Sequence, residues 1–120
     1  DHYRAAIRLY KGPFLPDIEE TWNLAERERL FQMYLEALLK LAELIFEGGK
    51  QQSALDYIHR ALVADYSLEA AHRLAMRVHA SMGNRAAIAR QYERCRQALL
   101  AEINAQPSQQ TRQLLDTLMH

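Results

Sequence analysis

A glycine that recurs after 34 residues limits the fold of this chain more than any other feature of the sequence. Gly49 and Gly83 both follow a helical pattern, and when they are superimposed the small and apolar positions around them coincide. The coinciding pairs are Ala42 with Met76, Ala54 with Ile88, Ile58 with Tyr92, and Ala61 with Cys95. A period of about 34 residues with a glycine between two helices is typical of a tetratricopeptide repeat. The sequence therefore predicts an all-α solenoid built from antiparallel helix pairs.

The flanking segments extend this pattern to about six helices, which are separated by glycine, proline and capping residues. The predicted helices cover residues 3–10, 18–46, 51–64, 67–82, 84–104 and 108–118. Asp17, Ser67, Asn84 and Ser108 are the side chains that we expect to begin four of them, because their oxygen atoms can accept a hydrogen bond from a free backbone amide. The long second helix carries apolar residues on two faces, so we expect neighbours on both sides of it. The apolar stripes that we expect to be buried include Leu24 and Leu44 on this helix, and they extend to Met82 and Ile103 at the ends of two later helices.

Length and composition point to a single domain that is part of a longer protein. The chain has 120 residues, enough to bury a core of its own, and residues 1–120 read as one helical domain. It begins inside a helical pattern without a methionine, which indicates a fragment. We expect a cytoplasmic location, because there is one cysteine, no signal peptide and no long apolar run.

Charge is balanced overall but unevenly distributed along the chain. Residues 17–47 carry a net charge of −5, whereas residues 69–96 carry a net charge of +4. Two pairs of arginines lie one helical turn apart, Arg73 with Arg77 and Arg90 with Arg94. Such pairs repel each other unless an anion lies opposite. Either the acidic helix supplies that anion or the arginines are simply solvated, or they form a basic surface for an acidic partner, which could be a neighbouring domain, a protein segment or nucleic acid.

No residue pattern predicts catalysis, a metal or a cofactor. His72 and His79 lie seven residues apart, too far along a helix to hold one metal ion together, and we expect ordinary surface or boundary histidines. Cys95 falls at a repeat position that requires a small buried residue, so we expect a structural thiol. The sequence contains no glycine-rich phosphate loop and no nucleophile motif. We therefore expect a protein that is not an enzyme.

Several segments, taken in order, resemble the bacterial transcriptional activator domain, the helical domain of activators of the Streptomyces antibiotic regulatory protein type. The first is AIRLYKGPFLPD at residues 6–17, followed by Trp22 and by ERERL at residues 26–30. The later segments are EAAHRL at residues 69–74, MGNR at residues 82–85 and YERC at residues 92–95, before Pro107 and Ser108. Together these segments span nearly the whole chain.

The resemblance implies a regulatory domain that works by protein–protein contact. In that family a winged-helix DNA-binding domain lies upstream, and the helical domain packs on it, contributes to dimerisation or contacts the transcription machinery. The expected partners are accordingly that winged helix, RNA polymerase or a second copy in a homodimer, with DNA bound only through the other domain and no membrane. Two alternatives stay open: direct nucleic-acid contact through the arginine-rich half, and a scaffold module in a larger signalling protein.

A partner surface can be placed by aligning the chain to the repeat, which puts one residue set on the wall of a groove. That set is Leu39, Glu43, Phe46, Arg73, Arg77 and Ala80. Arg90 and Arg94 join the candidate surface as a basic pair of the second repeat.

Overall fold

A computed structural model describes Arg4 and residues 23–120 of the chain, and the described segment is helical without strands. Its helices are α1 (Leu24–Glu47), α2 (Gln51–Ala64), α3 (Glu69–Ser81), α4 (Arg85–Ile103) and α5 (Gln109–Met119). They correspond to the last five of the six predicted helices, which confirms the all-α, tetratricopeptide-like fold class. The first predicted helix, the Asp17 cap and Trp22 lie outside the described residues.

Most of the predicted helix ends are confirmed. Gly49 and Gly83 adopt φ values of 83° and 70°, a left-handed conformation that a side chain would strain. The side chain of Asn84 accepts a hydrogen bond from the amide of Ala87 at 3.1 Å and so begins α4. Ser108 begins α5 in the same manner, through a hydrogen bond from the amide of Thr111 to its hydroxyl.

Two predicted helix starts were wrong. The long helix begins at Leu24 instead of residue 18, because Asn23 is extended and its side chain accepts the Glu26 amide at 2.8 Å. Ser67 does not cap α3, since both its amide and its hydroxyl donate to the side chain of Asp65. The residue at the cap position of α3 is Leu68, which supplies no side-chain hydrogen bond.

The core lies between the two helix pairs. Helix α2 packs on α1 and on α3, α4 packs on α3, and α5 packs on both α3 and α4. The largest cluster of buried residues comes from the first three helices: Tyr34, Leu35, Leu38, Ala42, Ala54, Ile58, Ala61, Leu62, Ala71, Leu74, Ala75 and Val78. Ala54, Ala61 and Ala71 are completely buried, which fits helices that approach each other closely over small side chains.

Apolar residues near helix ends depart from the predicted stripes. Leu24, Leu44, Met82 and Ile103 were expected to be buried but are between about half and three quarters exposed. A helix end projects past its neighbour, so the periodic pattern continues where there is no longer anything to pack against.

Helix α5 has the position of the first helix of a third repeat. Thr111 is fully buried, but Leu114, Leu115 and Leu118 are only half-buried. Within residues 23–120 no further helix follows to cover their outer side. The described solenoid therefore contains two helix pairs and one additional helix, α5.

Candidate partner-binding grooves

The first groove runs across α1, α3 and α5 and has a volume of about 440 Å³. Its lining residues are Leu39, Glu43, Ala70, Arg73, Leu74, Arg77, Gln110, Gln113, Leu114 and Thr117. The leucines give it an apolar floor, and the charged and amide side chains lie around that floor. This is the face on which first helices of successive repeats stand next to one another.

Four of the residues predicted for a partner surface line the first groove: Leu39, Glu43, Arg73 and Arg77. Phe46 lies next to it, because the guanidinium carbon of Arg77 sits 5.9 Å from the centre of the Phe46 ring. Ala80 is not among the lining residues. The structure thus brings four residues of the predicted set together in one groove, with Phe46 beside them, and leaves Ala80 outside it.

Arg73 and Glu69 are held in a polar network that joins α3 to the start of α5. One carboxylate oxygen of Glu69 accepts hydrogen bonds from the Ser108 amide and hydroxyl, each at 3.0 Å, and from the Thr111 hydroxyl at 2.6 Å. Arg73 donates to the same Thr111 hydroxyl at 3.0 Å and lies 3.8 Å from the Glu69 carboxylate. We call this network, Glu69, Arg73, Ser108 and Thr111, the α5 latch.

The α5 latch also changes the pKa of its carboxylate. Partial burial raises the pKa of Glu69, but the hydrogen bonds from Thr111 and Ser108 and the charge of Arg73 outweigh that effect and lower the pKa overall. Glu69 therefore stays ionised and keeps accepting these bonds. Only the Ser108 cap was predicted from the sequence, since a carboxylate about 40 residues away gives no local signal.

The rim of the first groove keeps charged groups available to a partner. Glu43 forms only a long contact of 3.9 Å with Lys40, and both side chains are more than 40% exposed. Arg77 is exposed, and no carboxylate in the described part of the chain lies within ion-pair distance of it. Its guanidinium stays on the Phe46 ring, an arrangement that leaves its donors free.

The second groove lies on another face of the domain, with α3 as its floor and α2 and α4 as its walls. It has a volume of about 780 Å³. Its lining residues are Gln52, Leu55, Asp56, Ile58, His59, Leu62, Tyr66, His72, Ala75, His79, Gln91, Arg94, Gln97 and Ala98. Arg94 is the one member of the predicted partner surface among them. The sequence did not predict this groove, because it is shaped by three helices whose spacing depends on packing.

His72 forms part of the floor and is buried, contrary to the prediction of a surface or boundary histidine. Its Nε2 donates to the backbone oxygen of Tyr66 at 2.7 Å, and its Nδ1 accepts from the Gln91 side chain at 2.8 Å. Burial lowers the pKa of His72 and outweighs the hydrogen bond to Tyr66, which acts in the opposite direction. His72 is thus a neutral structural residue that ties the loop before α3 to α4.

His79 lies about two turns further along α3, and its ring forms fewer hydrogen bonds than the ring of His72. Its Nδ1 is buried and has no hydrogen-bond partner within the described residues. Burial lowers the pKa of His79, and the positive charges of Arg90 and Arg94 lower it further. The basic pair of α4 therefore adds to the effect of burial in lowering the pKa of this histidine.

The other arginines of the second repeat are mostly engaged within the domain. Arg73 belongs to the α5 latch, Arg96 pairs with Glu93, and Arg85 donates to the backbone oxygen of Met119. Both carboxylates that pair with these arginines lie on the same helix as their partner. Among the described residues the acidic helix supplies no carboxylate to these arginines, and Asp17, Glu19 and Glu20 lie outside the described residues.

Residues 23–120 give no indication of metal or thiol chemistry. They contain no group of three or more histidine, cysteine or acidic side chains arranged to hold a metal ion. Cys95 is buried, and burial raises the pKa of its thiol to about 11, which keeps it protonated near neutral pH. Of the helices described here, none combines the length and apolarity of a membrane span.

Comparison with known families identifies the domain. The profile of the bacterial transcriptional activator domain matches residues 1–119. The chain belongs to this family. The suspected family is thereby confirmed, and a bacterial transcriptional activator domain is a regulatory module with the helical fold seen here. Searches of curated proteins and of solved structures returned no significant match.

Proposed function

We propose that this bacterial transcriptional activator domain works by docking, with the first groove as its contact surface for a neighbouring DNA-binding domain or a transcription partner. Membership of the family supports a role in transcription regulation. The observation that carries the location is the groove itself, where Leu39, Leu74 and Leu114 form an apolar floor and Glu43 and Arg77 stand at the rim. Protein interfaces commonly have this arrangement, with an apolar centre, a polar rim and arginine among the strongest contributors.

The α5 latch supports the proposal because it makes the groove rigid. Helix α5 supplies one wall, and the Glu69 hydrogen bonds hold that wall at a fixed distance from α3. A preformed groove loses little conformational entropy when a partner binds. The domain would then present a fixed surface to its partner and act by binding alone.

Site-specific photo-crosslinking in the full-length parent protein tests this docking. A photoreactive phenylalanine analogue replaces Leu39 in the first groove, and a matched variant carries it at Val63, which is exposed and lines neither groove. We expect crosslinks from position 39 to the parent's DNA-binding domain or to RNA polymerase, and none of these from position 63. Crosslinks from position 39 to proteins outside transcription would support the scaffold alternative, and equal crosslinking from both positions would refute docking in the first groove.

Direct nucleic-acid contact is the second candidate, and the exposed Arg90 and Arg94 are the observation in its favour. Their positive charge is local, because the chain has no net charge and Asp56 lines the same groove as Arg94. This candidate predicts that DNA retains the chain at low salt and releases it steeply as salt rises. Retention must also disappear in the double variant Arg90→Glu, Arg94→Glu. A chain that is not retained at low salt excludes this candidate.

A further inference from the structure

The second groove combines several apolar side chains with a cationic end, where Arg94 of α4 lines it, and the proposed docking in the first groove makes no use of it. Leu55 and Leu62 line the groove from α2, and Ala98 lines it from α4. Together with Ile58 and Ala75 they are the apolar strip of the groove. A strip between two helices can accommodate the apolar face of a third.

The arginines at the cationic end form no ion pair within the described residues. Arg94 lines the groove and Arg90 precedes it by one helical turn, and neither forms an ion pair with a described carboxylate. Glu93 stands next to Arg94 in sequence but is taken by Arg96, whose Nε donates to it at 2.9 Å. Like charges one turn apart repel each other, so an anion bound between them would relieve that repulsion.

His79 adds an unsatisfied polar atom at the same end. Its buried Nδ1 has no partner in the part of the chain that the structure describes. The charges that act on it are those of Arg90 and Arg94 on α4, and the other charged or titratable residues that line the groove include Asp56 and His59 on α2 and His72 on α3. Cations predominate at this end, and an incoming carboxylate would offset them.

We propose that the second groove binds an acidic amphipathic segment of a partner protein. Its apolar side chains would lie against Leu55, Leu62 and Ala98, and its carboxylates would reach Arg94 and the neighbouring Arg90. A protein segment fits better than nucleic acid, because the strip is apolar, whereas a nucleic-acid backbone carries charge along its whole length. The carboxylates of the segment would pair with these two arginines, which form no ion pair within the described residues.

Binding of such a segment is linked to protonation of His79. A carboxylate placed beside the histidine favours its charged form, so the complex takes up a proton that the free domain excludes. Affinity therefore rises as the pH falls through the range in which His79 gains its proton, and the ordinary pKa from which that of His79 is lowered is 6.5. This dependence distinguishes a carboxylate at the His79 end from apolar binding elsewhere along the groove.

Fluorescence anisotropy with a labelled synthetic peptide tests the proposal on the whole 120-residue chain. The peptide carries leucine at helical spacing with glutamate between, and a second peptide has glutamine in place of each glutamate. We expect the glutamate peptide to bind, the Arg94→Gln variant to bind it roughly five- to tenfold more weakly, and His79→Gln to lose the pH dependence. Arg112→Gln is the matched control, since this exposed arginine on α5 lines neither groove.

Each other outcome overturns the proposal. These outcomes are equal binding of the two peptides, an Arg94→Gln variant that binds as well as the unmodified chain, and binding of a DNA oligonucleotide through Arg94 without binding of the peptide. Circular dichroism melting curves show whether each variant is folded, and Arg94→Lys, which keeps the charge, should retain most of the affinity. Peptide binding in the second groove does not depend on docking in the first groove. An Arg77→Glu variant, which changes only the first groove, should therefore bind the peptide normally.

Discussion

The two grooves are held in shape by different kinds of contact, although they share α3. The first depends on the α5 latch, in which a partly exposed carboxylate holds the start of α5. The second depends on His72, a buried neutral ring that joins the loop before α3 to α4. In the folded domain both grooves are fixed, but a partly exposed ionic network opens at a lower free-energy cost than a buried hydrogen-bonded residue, which is lost only together with the core.

The largest expected effect is a loss of stability when His72 is removed from the floor of the second groove. His72→Ala leaves the Tyr66 oxygen and the Gln91 amide without partners and opens a cavity, so we expect the free energy of unfolding to fall by about 2–4 kcal/mol. Urea denaturation measures this change. His59→Ala is the control, because His59 lines the same groove but is exposed and should change stability by less than about 0.5 kcal/mol. Equal effects of the two substitutions would show that His72 is not structural.

Opening the α5 latch should have a smaller and more local effect. Glu69→Gln removes the charge that strengthens the bonds to Ser108 and Thr111, so we expect a loss of about 1–2 kcal/mol. Hydrogen exchange should accelerate in the amides of α5 and remain unchanged in α1 and α2. Glu102→Gln, an exposed residue outside the latch, should alter neither. Faster exchange throughout the chain would mean that α5 is not a separately held element.

The pH dependence of stability should separate the two grooves. His72 and His79 have pKa values below their ordinary 6.5, so the unfolded chain binds protons more readily than the folded one. Their contribution is complete above about pH 6.5 and decreases as the pH falls below it. The pKa of Glu69 is lowered from 4.5, so the stability of the latch is present above that value and is lost in more acidic solution.

Amide exchange measured by NMR at a series of pH values can follow both transitions. We expect the loop before α3 to lose protection first as the pH falls, and the start of α5 to lose it only below about pH 4.5. In the His72→Gln variant the first transition should become smaller. A single transition shared by both regions would contradict the distinction between the grooves.

The smallest effect concerns Cys95, whose thiol lies buried on α4 near Glu69 and Arg73. Because its pKa is raised to about 11, a thiol reagent at pH 8 should react with the folded chain far more slowly than with the unfolded chain. Glu69→Gln should accelerate labelling if opening of the latch exposes the thiol. Rapid labelling of the unmodified chain would show that this part of the domain opens more often than the buried packing implies.

Sequence patterns correctly predicted the features that depend only on neighbouring residues. The Gly49 and Gly83 turns and the Asn84 and Ser108 caps are correct because each depends on the conformation of a few adjacent residues. The repeat alignment also placed Leu39 in what proved to be the first groove, since a repeated helix pair fixes which face is shared.

The remaining features depend on contacts between residues far apart in the chain. Nothing near Glu69 indicates a bond to Ser108, and nothing near His72 indicates that Gln91 will satisfy it. The prediction that His72 is a surface or boundary histidine was wrong for that reason. Met82 and Ile103 were predicted to be buried because periodicity does not show where a neighbouring helix stops.

Docking through the first groove is the central claim, and a transcription reporter driven by the full-length parent protein tests it most directly. Arg77→Glu reverses the exposed charge at the groove rim, and Arg60→Glu makes the same change on α2, outside both grooves. We expect Arg77→Glu to reduce activation about tenfold or more at unchanged protein level, and Arg60→Glu to leave it unchanged. Full activation by the Arg77→Glu variant, or an equal loss in both variants, would contradict the claim.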